Sequence, residues 1–345
     1  MRFHAYFLLV VPFVFSLDSP ALAADPPECR RQDVRLERPD VTKRHAELSG
    51  VVLSGRQLIT ISNEGLDKDK RRHSVQIFEG DPQSGFRHKR DAELFTADED
   101  ACGEADFEAL AREGETYFAI TSHSVNRKKQ KPGHSYEKNR KRLTRKGIET
   151  CKARYQLVRF RITDSKTVEV EERVSLKDMI ADHPVLRPFA KIPNKENGID
   201  IEGLAVKDGH LYVGFRGPVL RQNYVPVLRI GRKLDDDAIE DAELLFVNLG
   251  GRGIRGLAET PRGLAILAGP NGDEAQSFAI YFWDGRDQVG RRGSPGGKAL
   301  LRCSLGLHPD DKPESLTFID DGPSGMRFLL VFDGAALKAE LRTVH

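Results

Sequence analysis

The chain has 345 residues, too many for one small core and enough for two ordinary domains or one large repeat domain. With 39% hydrophobic and 31% charged residues it has the makings of a folded interior, which excludes global disorder. Lys and Arg number 54 against 52 Asp and Glu, so a bulk charge of +2 argues for neither a nucleic acid nor a membrane surface as partner.

Residues 1–23 read as a secretory leader. Arg2 and His4 precede an apolar run from Ala5 to Phe15, interrupted by Pro12, and Ala21-Leu22-Ala23 supplies the small-residue end of such signals. The run is too short to span a bilayer, and no later stretch approaches 18 apolar residues. The expectation is a periplasmic or secreted mature chain, 24–345, without a membrane span.

The mature chain opens on a strand-like segment, DVRLERPDV (33–41), and then repeats one pattern five times. The units begin ELSGVVLSGRQLITISNEG (47–65), DFEALAREGETYFAITSHS (106–124), DIEGLAVKDGHLYVGFRGP (200–218), GIRGLAETPRGLAILAGPN (253–271) and PESLTFIDDGPSGMRFLLVFDG (313–334). Each has an apolar run, a polar turn and a second apolar run. Equivalent anchors at Val51, Leu110, Leu204, Leu257 and Leu316 are spaced by 59, 94, 53 and 59 residues. Two more alternating runs follow in each of the first four units, as in SVQIF (74–78) and AELF (92–95) of the first. Four strands per unit at this period predict an all-β fold, a β-propeller of five four-stranded blades. The fifth unit has only LKAELRTV (337–344) left after its hairpin, so the N-terminal segment is expected to close the ring and remove two open sheet edges. A six-bladed ring is the alternative, with a degenerate blade hidden in the 94-residue gap, and two β-sandwiches come third.

That gap contains a basic insertion, Arg127 to Lys152, with 11 Lys and Arg against Glu137 and Glu149. Removing about 35 residues restores the normal period, which places the insertion as a loop within blade two. It reads as a solvated loop or as a cationic lid over an anionic ligand. A single aromatic, Tyr136, and no recognised motif argue against nucleic acid.

Four cysteines, Cys29, Cys102, Cys151 and Cys303, allow two disulfides in three pairings in an oxidising compartment. None is spaced as C-x-x-C. Cys102–Cys151 is preferred because it would tie down the insertion, which leaves Cys29–Cys303.

In a propeller the first strands line the axis, so equivalent positions form rings. Two residues before the anchors stand Ser49, Glu108, Glu202, Arg255 and Glu314, and four before stand Glu47, Asp106 and Asp200. Crowded carboxylates repel, so they hold a proton or share a cation, and hard oxygen donors suit calcium. The ends of the second strands supply another set: Asn63, Glu64, Ser122, His123, Arg216, Asn271, Asp273 and Asp333. Arg216 and Arg255, with Asn271, are candidates to grip an anion. Glu108, Glu202 and Glu314 are candidate acids, bases or metal holders, His123 is a candidate proton relay, and Asp106 and Asp200 are candidate metal ligands. The competing reading is structural, with carboxylates bonding backbone between blades and arginines balancing them. There is no G-x-S-x-G, H-E-x-x-H or G-x-x-x-x-G-K-[ST], and no nucleotide cofactor is expected.

The segments DFEALA…TSHSVNRK (106–129), ENGIDIEGLAV…LYVGFRGPV (196–219) and GRGIRGLA…LAILAGPNG (251–272) resemble a bacterial family, domain of unknown function 3616. That resemblance implies an exported propeller-like protein without an assigned activity. The D-x-E-G-L-A strand at Asp200–Ala205 is also similar, more loosely, to phytase-type, esterase-like propellers, which implies calcium-assisted hydrolysis of a phosphoester or ester. The leading expectation is therefore a metal-assisted hydrolase of small anionic (phospho)esters. The alternative is a non-catalytic propeller that binds a ligand or protein at the cell envelope, and a lactone- or sugar-processing propeller enzyme comes third.

Overall fold

The repeat folds into five antiparallel sheets whose first strands stand side by side in a closed ring. A computed structural model describes residues 26–67, 69, 71–97, 104–144, 148–234, 241–272, 277–290, 295–308 and 310–345. The leader and Cys102 lie outside the described residues. Blade one comprises strands Leu48–Ser54, Gln57–Ser62, Arg72–Asp81 and Gly85–Thr96. Blade two comprises Phe107–Glu113, Thr116–Thr121, Leu157–Arg161 and Glu169–Val174. Blade three runs through Asp200–Lys207, His210–Gly217, Tyr224–Gly231 and Glu243–Asn248, and blade four through Gly253–Thr260, Gly263–Gly269, Ala279–Trp283 and Ala299–Ser304. Blade five takes Lys312–Gly322, Gly325–Asp333 and Ala339–Val344 from the C-terminus and Arg30–Val34 from the N-terminus. The first strand of each blade packs on those of its two neighbours, and blade five packs back on blade one. This is the five-bladed propeller, and it replaces the six-bladed and two-sandwich alternatives.

The core lies between blades rather than within one centre. One apolar cluster joins blades two, three and four, and others join one to two, four to five and five to one. Second strands are buried on both faces, as Leu264 to Ala268 illustrate, so they read as continuous apolar runs. Small residues precede the anchors because the next blade comes close. A Cβ on Gly50 would sit 2.8 Å from the backbone nitrogen of Leu110, and one on Gly203 would sit 2.7 Å from Ile254.

The closing strand lies earlier than 33–41. Arg30 to Val34 pair antiparallel with Thr343 to Ala339, whereas Leu36–Glu37 crosses to the outer edge of blade one and pairs there in parallel. The Cys29–Cys303 disulfide ties the start of this strand to the outer strand of blade four. Beside it Arg342, almost fully buried, binds Glu340, the Leu305 carbonyl at 2.7 Å and the Cys29 carbonyl at 3.3 Å. Cys151 is also in a disulfide.

Part of the 94-residue gap is a small arm, not a blade. Asn126–Arg127 pairs with Ile148–Glu149, and an exposed helix, Tyr136–Leu143, is capped by Ser135. Another part is a segment of short helices between Lys177 and Glu196 that leads to blade three. Among the described residues no helix is long and apolar enough to cross a membrane.

Candidate functional site

Antiparallel order fixes which loops meet. Turns between first and second strands, such as Ser54 to Gln57, lie at one end of the ring. Links from second to third strands and from blade to blade lie at the other end. The N-terminal ends of the first strands and the C-terminal ends of the second strands therefore share that loop-rich end. The two predicted rings thus lie at the same end of the propeller.

Each first strand slips register by one residue as it enters the ring. The skipped residues are Ser49, Glu108, Glu202, Arg255 and Glu314. A bulge leaves one residue unpaired and re-aims its side chain, so five bulges at one level turn five side chains to the axis. Ser49 spends its hydroxyl on the Phe107 carbonyl at 2.6 Å and the Ile61 carbonyl at 3.2 Å. The other four are ionisable, and three of them, Glu202, Arg255 and Glu314, are ion-paired.

Those charges form a chain. Arg216, at the end of the second strand of blade three, holds Asp200 with one Nη and Glu202 with the other at 2.7 Å. Arg255 takes Glu202 at 2.9 Å and also binds Glu314 of blade five. In blade two Asp106 accepts from the Ser122 hydroxyl at 2.6 Å, Ser122 lies 2.9 Å from Ser124 Oγ, and Arg154 approaches Asp106 at 3.7 Å. Glu108 alone among these carboxyls has no hydrogen-bond or ion-pair partner among the described residues, and it is half-buried.

Five carboxyls thus meet three guanidiniums, and burial with mutual repulsion favours the acid form of the excess. Burial, then the charges of Asp106, Glu202, Asp200 and Glu314, push Glu108 well above the usual carboxylate range. Burial pushes Glu314 up to about 8 against the pull of Arg255, and Asp200 up to about 7 against that of Arg216. Arg216 is stabilised in its charged form by Asp200 and Glu202 despite burial.

His123 does not face this cluster. Its backbone is left-handed at φ +52°, Nδ1 lies 2.9 Å from the Thr121 carbonyl and Nε2 accepts from the Leu176 amide at 3.2 Å. Burial pushes its imidazole down to about 4. With both ring nitrogens on backbone, it fastens a turn rather than relaying protons. Asn271 donates to Asn197 Oδ1 at 2.6 Å, bracing two loops beside the site. Asp273 lies outside the described residues.

The carboxyls are a poor fit to calcium. Guanidiniums occupy the positions beside Asp200, Glu202 and Glu314 that a cation would take. Among the described residues no group of three or more His, Cys, Asp or Glu side chains is placed to hold a metal ion. Asp106 and Asp200 act instead as acceptors for Ser122 and Arg216. The expected anion grip is also taken up, because both arginines are engaged by carboxylates. Arg154 falls outside the repeated pattern, in the short 3-10 helix Lys152–Arg154 that follows the arm. A polar cleft of about 380 Å³ at the other end, lined by Arg35, Glu37, Arg56 and Glu79, has its charges paired locally.

A family model described as "Protein of unknown function (DUF3616)" matches residues 47–176 and 168–343, and the chain belongs to that family. No functionally curated protein matches its sequence. Among solved structures it is similar to an exo-β-1,3-galactanase from Phanerochaete chrysosporium, at 7% identity and TM-score 0.46, over 93% of this chain and 67% of that one. It is similar to a mannose phosphorylase from Leishmania mexicana, at 12% identity and TM-score 0.44, over 92% and 89%. It is also similar to a periplasmic gluconolactonase from Pseudomonas aeruginosa, at 14% identity and TM-score 0.36, over 86% and 72%. The likeness is one of general architecture.

Proposed function

We propose that this protein is an exported acid–base hydrolase that cleaves a glycosidic bond of an uncharged sugar unit at the loop-rich end of the channel. The single observation that carries the reading is Glu108: a half-buried carboxyl turned to the axis by a bulge, without a partner among the described residues, whose acid form is favoured by burial and by the carboxyls around it. A carboxylic acid of raised pKa is suited to protonate a leaving oxygen.

The charge balance of the axis decides the reaction class. Ester and phosphoester hydrolysis builds negative charge that needs free donors. Here Arg216 and Arg255 are already taken by Asp200, Glu202 and Glu314. Cleavage of a glycosidic bond instead builds positive charge at the sugar carbon, which nearby carboxylates stabilise. Glu108 gives its proton to the leaving oxygen as the C–O bond breaks. Glu202, braced by two guanidiniums, faces the developing cation with fixed negative charge. Glu108, now a carboxylate, takes a proton from the water that completes hydrolysis, so acid and proton count are restored. The leader and the Cys29–Cys303 disulfide support an exported, oxidising location.

The test is a panel of aryl glycosides and aryl phosphoesters with the purified mature chain and Glu108→Gln. Glycoside turnover that drops at least 100-fold in the variant, unchanged by a chelator, is the expected result. Phosphoester turnover, or turnover indifferent to Glu108, overturns it. The closed chain of ion pairs favours a second reading, a non-catalytic binding propeller. Sugar binding without turnover in the same panel would mark that case.

A further inference from the structure

The arm in blade two is not used by this chemistry, yet it stands at the same end as the site. It leaves the end of the second strand, and its base is fixed to the link that leads into Asp200 and Glu202. Arg127 forms a two-pronged ion pair with Glu196, and the Asn194 amide donates to the Val125 carbonyl at 2.9 Å. Lys128 is neutralised by Glu149. These two pairs make the arm a built feature of the mouth.

The outer part of the arm, residues 129–144, sets six Lys and Arg against the single carboxylate Glu137. Lys131, Lys138 and Lys141 are exposed, and among the described residues none is within ion-pair distance of a carboxylate. Arg140 meets only the Tyr136 hydroxyl at 3.1 Å, and Arg142 turns back on the Lys129 carbonyl. The turn from Lys131 to His134 lies against the helix, because Asn139 brackets Lys131 through its amide at 3.0 Å and its carbonyl at 3.2 Å. His134 Nδ1 is buried in that turn without a hydrogen-bond partner. Burial and then the charges of Lys138, Arg142 and Lys131 push its imidazole down. Such a cluster raises the local concentration of an anion.

We infer that this arm is a docking surface for an acidic polysaccharide, gripped by Lys131, Lys138, Lys141 and their neighbours beside the channel mouth. Charge complementarity selects a polyanion. Binding of single-stranded nucleic acid relies on aromatic platforms for bases, and the arm has one aromatic whose hydroxyl is tied to Arg140. Anchoring to a lipid surface needs a buried apolar face, and this eight-residue helix exposes only Tyr136 and Leu143. A flexible chain bearing charge at intervals asks only for spaced cations. The inference does not depend on the glycosidase reading, since it concerns binding at a separate surface.

Heparin serves as the probe, titrated into the full mature chain at low and moderate salt, with single-stranded DNA and anionic phosphatidylglycerol vesicles as the other arms. Heparin should bind most tightly and weaken as salt rises. The triple variant Lys131→Glu, Lys138→Glu, Lys141→Glu should lose at least tenfold in affinity with an unchanged melting temperature, and the three Gln replacements should lose less. Reversing Arg56 and Arg262 at the opposite end should leave affinity unaltered. No heparin binding, equal binding by the triple variant, or equal or tighter binding of DNA or vesicles overturns the inference. A failed Glu108 test leaves these outcomes untouched, so the two proposals fail separately.

Discussion

Arg255 of blade four and Glu202 of blade three meet across the blade boundary, one Nη lying 2.9 Å from one carboxylate oxygen and 3.2 Å from the other. The same guanidinium binds Glu314 of blade five, so a single side chain ties three blades at the axis. Removing one partner of a buried pair leaves uncompensated charge, which typically costs about 3–5 kcal/mol. Arg255→Gln should therefore lower unfolding free energy by about that amount at pH 7, measured by denaturant titration. Adding Glu202→Gln to it should recover part of the loss, because the orphaned carboxylate is then gone.

The raised carboxyls make stability depend on pH in a stated direction. Asp200 at about 7, Glu314 at about 8 and Glu108 above its ordinary range all bind protons in the folded state that the unfolded chain has already released. Their contribution is complete below the ordinary carboxylate range and is lost as pH rises through 7 to 8. Each proton held by the folded state alone contributes a slope of about 1.4 kcal/mol per pH unit. Stability should fall between pH 5.5 and 8.5, and Glu314→Gln should flatten the fall. A rise across that range would contradict the crowding of these carboxyls.

Much of this site was legible because repeats convert position into place. Aligning the units on Val51, Leu110, Leu204, Leu257 and Leu316 put Ser49, Glu108, Glu202, Arg255 and Glu314 at one level, where the register slips confirm them. Partner choice was not legible. Nothing in the spacing says that both arginines are consumed by carboxylates, or that His123 turns its ring to backbone. Arg154 and the Glu340–Arg342 pair fall outside the aligned runs. The closing strand lies a few residues earlier than 33–41 because Arg30–Val34 is polar and exposed up to Val34 and carries no alternation to mark it, so only its pairing with Thr343 to Ala339 identifies it.

The small residue before each anchor has a measurable consequence. A Cβ on Gly50 would come within 2.8 Å of the Leu110 nitrogen and 3.0 Å of the Ala109 carbonyl carbon, both backbone atoms of blade two. Backbone cannot swing aside as a flexible side chain does. Gly50→Ala should cost about 1–3 kcal/mol, typical of overpacking, by forcing blades one and two apart. The equivalent change at Gly114, which has open space around it but a φ of +59°, tests backbone strain alone.

Ring closure should be sensitive to reductant. Cys29 and Cys303 are 274 residues apart and join the closing strand to blade four. Loss of a native disulfide of this kind typically costs about 2–5 kcal/mol. Cys29→Ser should lower the melting temperature and remove its dependence on reductant at that bridge. The Arg342–Glu340 pair and the strand pairing remain, so the variant should still fold.

Glu108 separates stability from activity. Its carboxyl sits among Asp106, Asp200, Glu202 and Glu314 with no partner of its own, an arrangement that costs folding free energy whenever it ionises. A residue selected for structure would be paired, as every other charged member of the ring is. Glu108→Gln keeps the shape and removes the charge, so stability at pH 8 should rise by about 0.5–2 kcal/mol, the usual gain when a functional site is relieved. Turnover of a glycoside should fall with it, and the alkaline limb of the pH–rate profile should vanish. A variant that loses stability instead would make Glu108 a structural acceptor and take away its role as the acid.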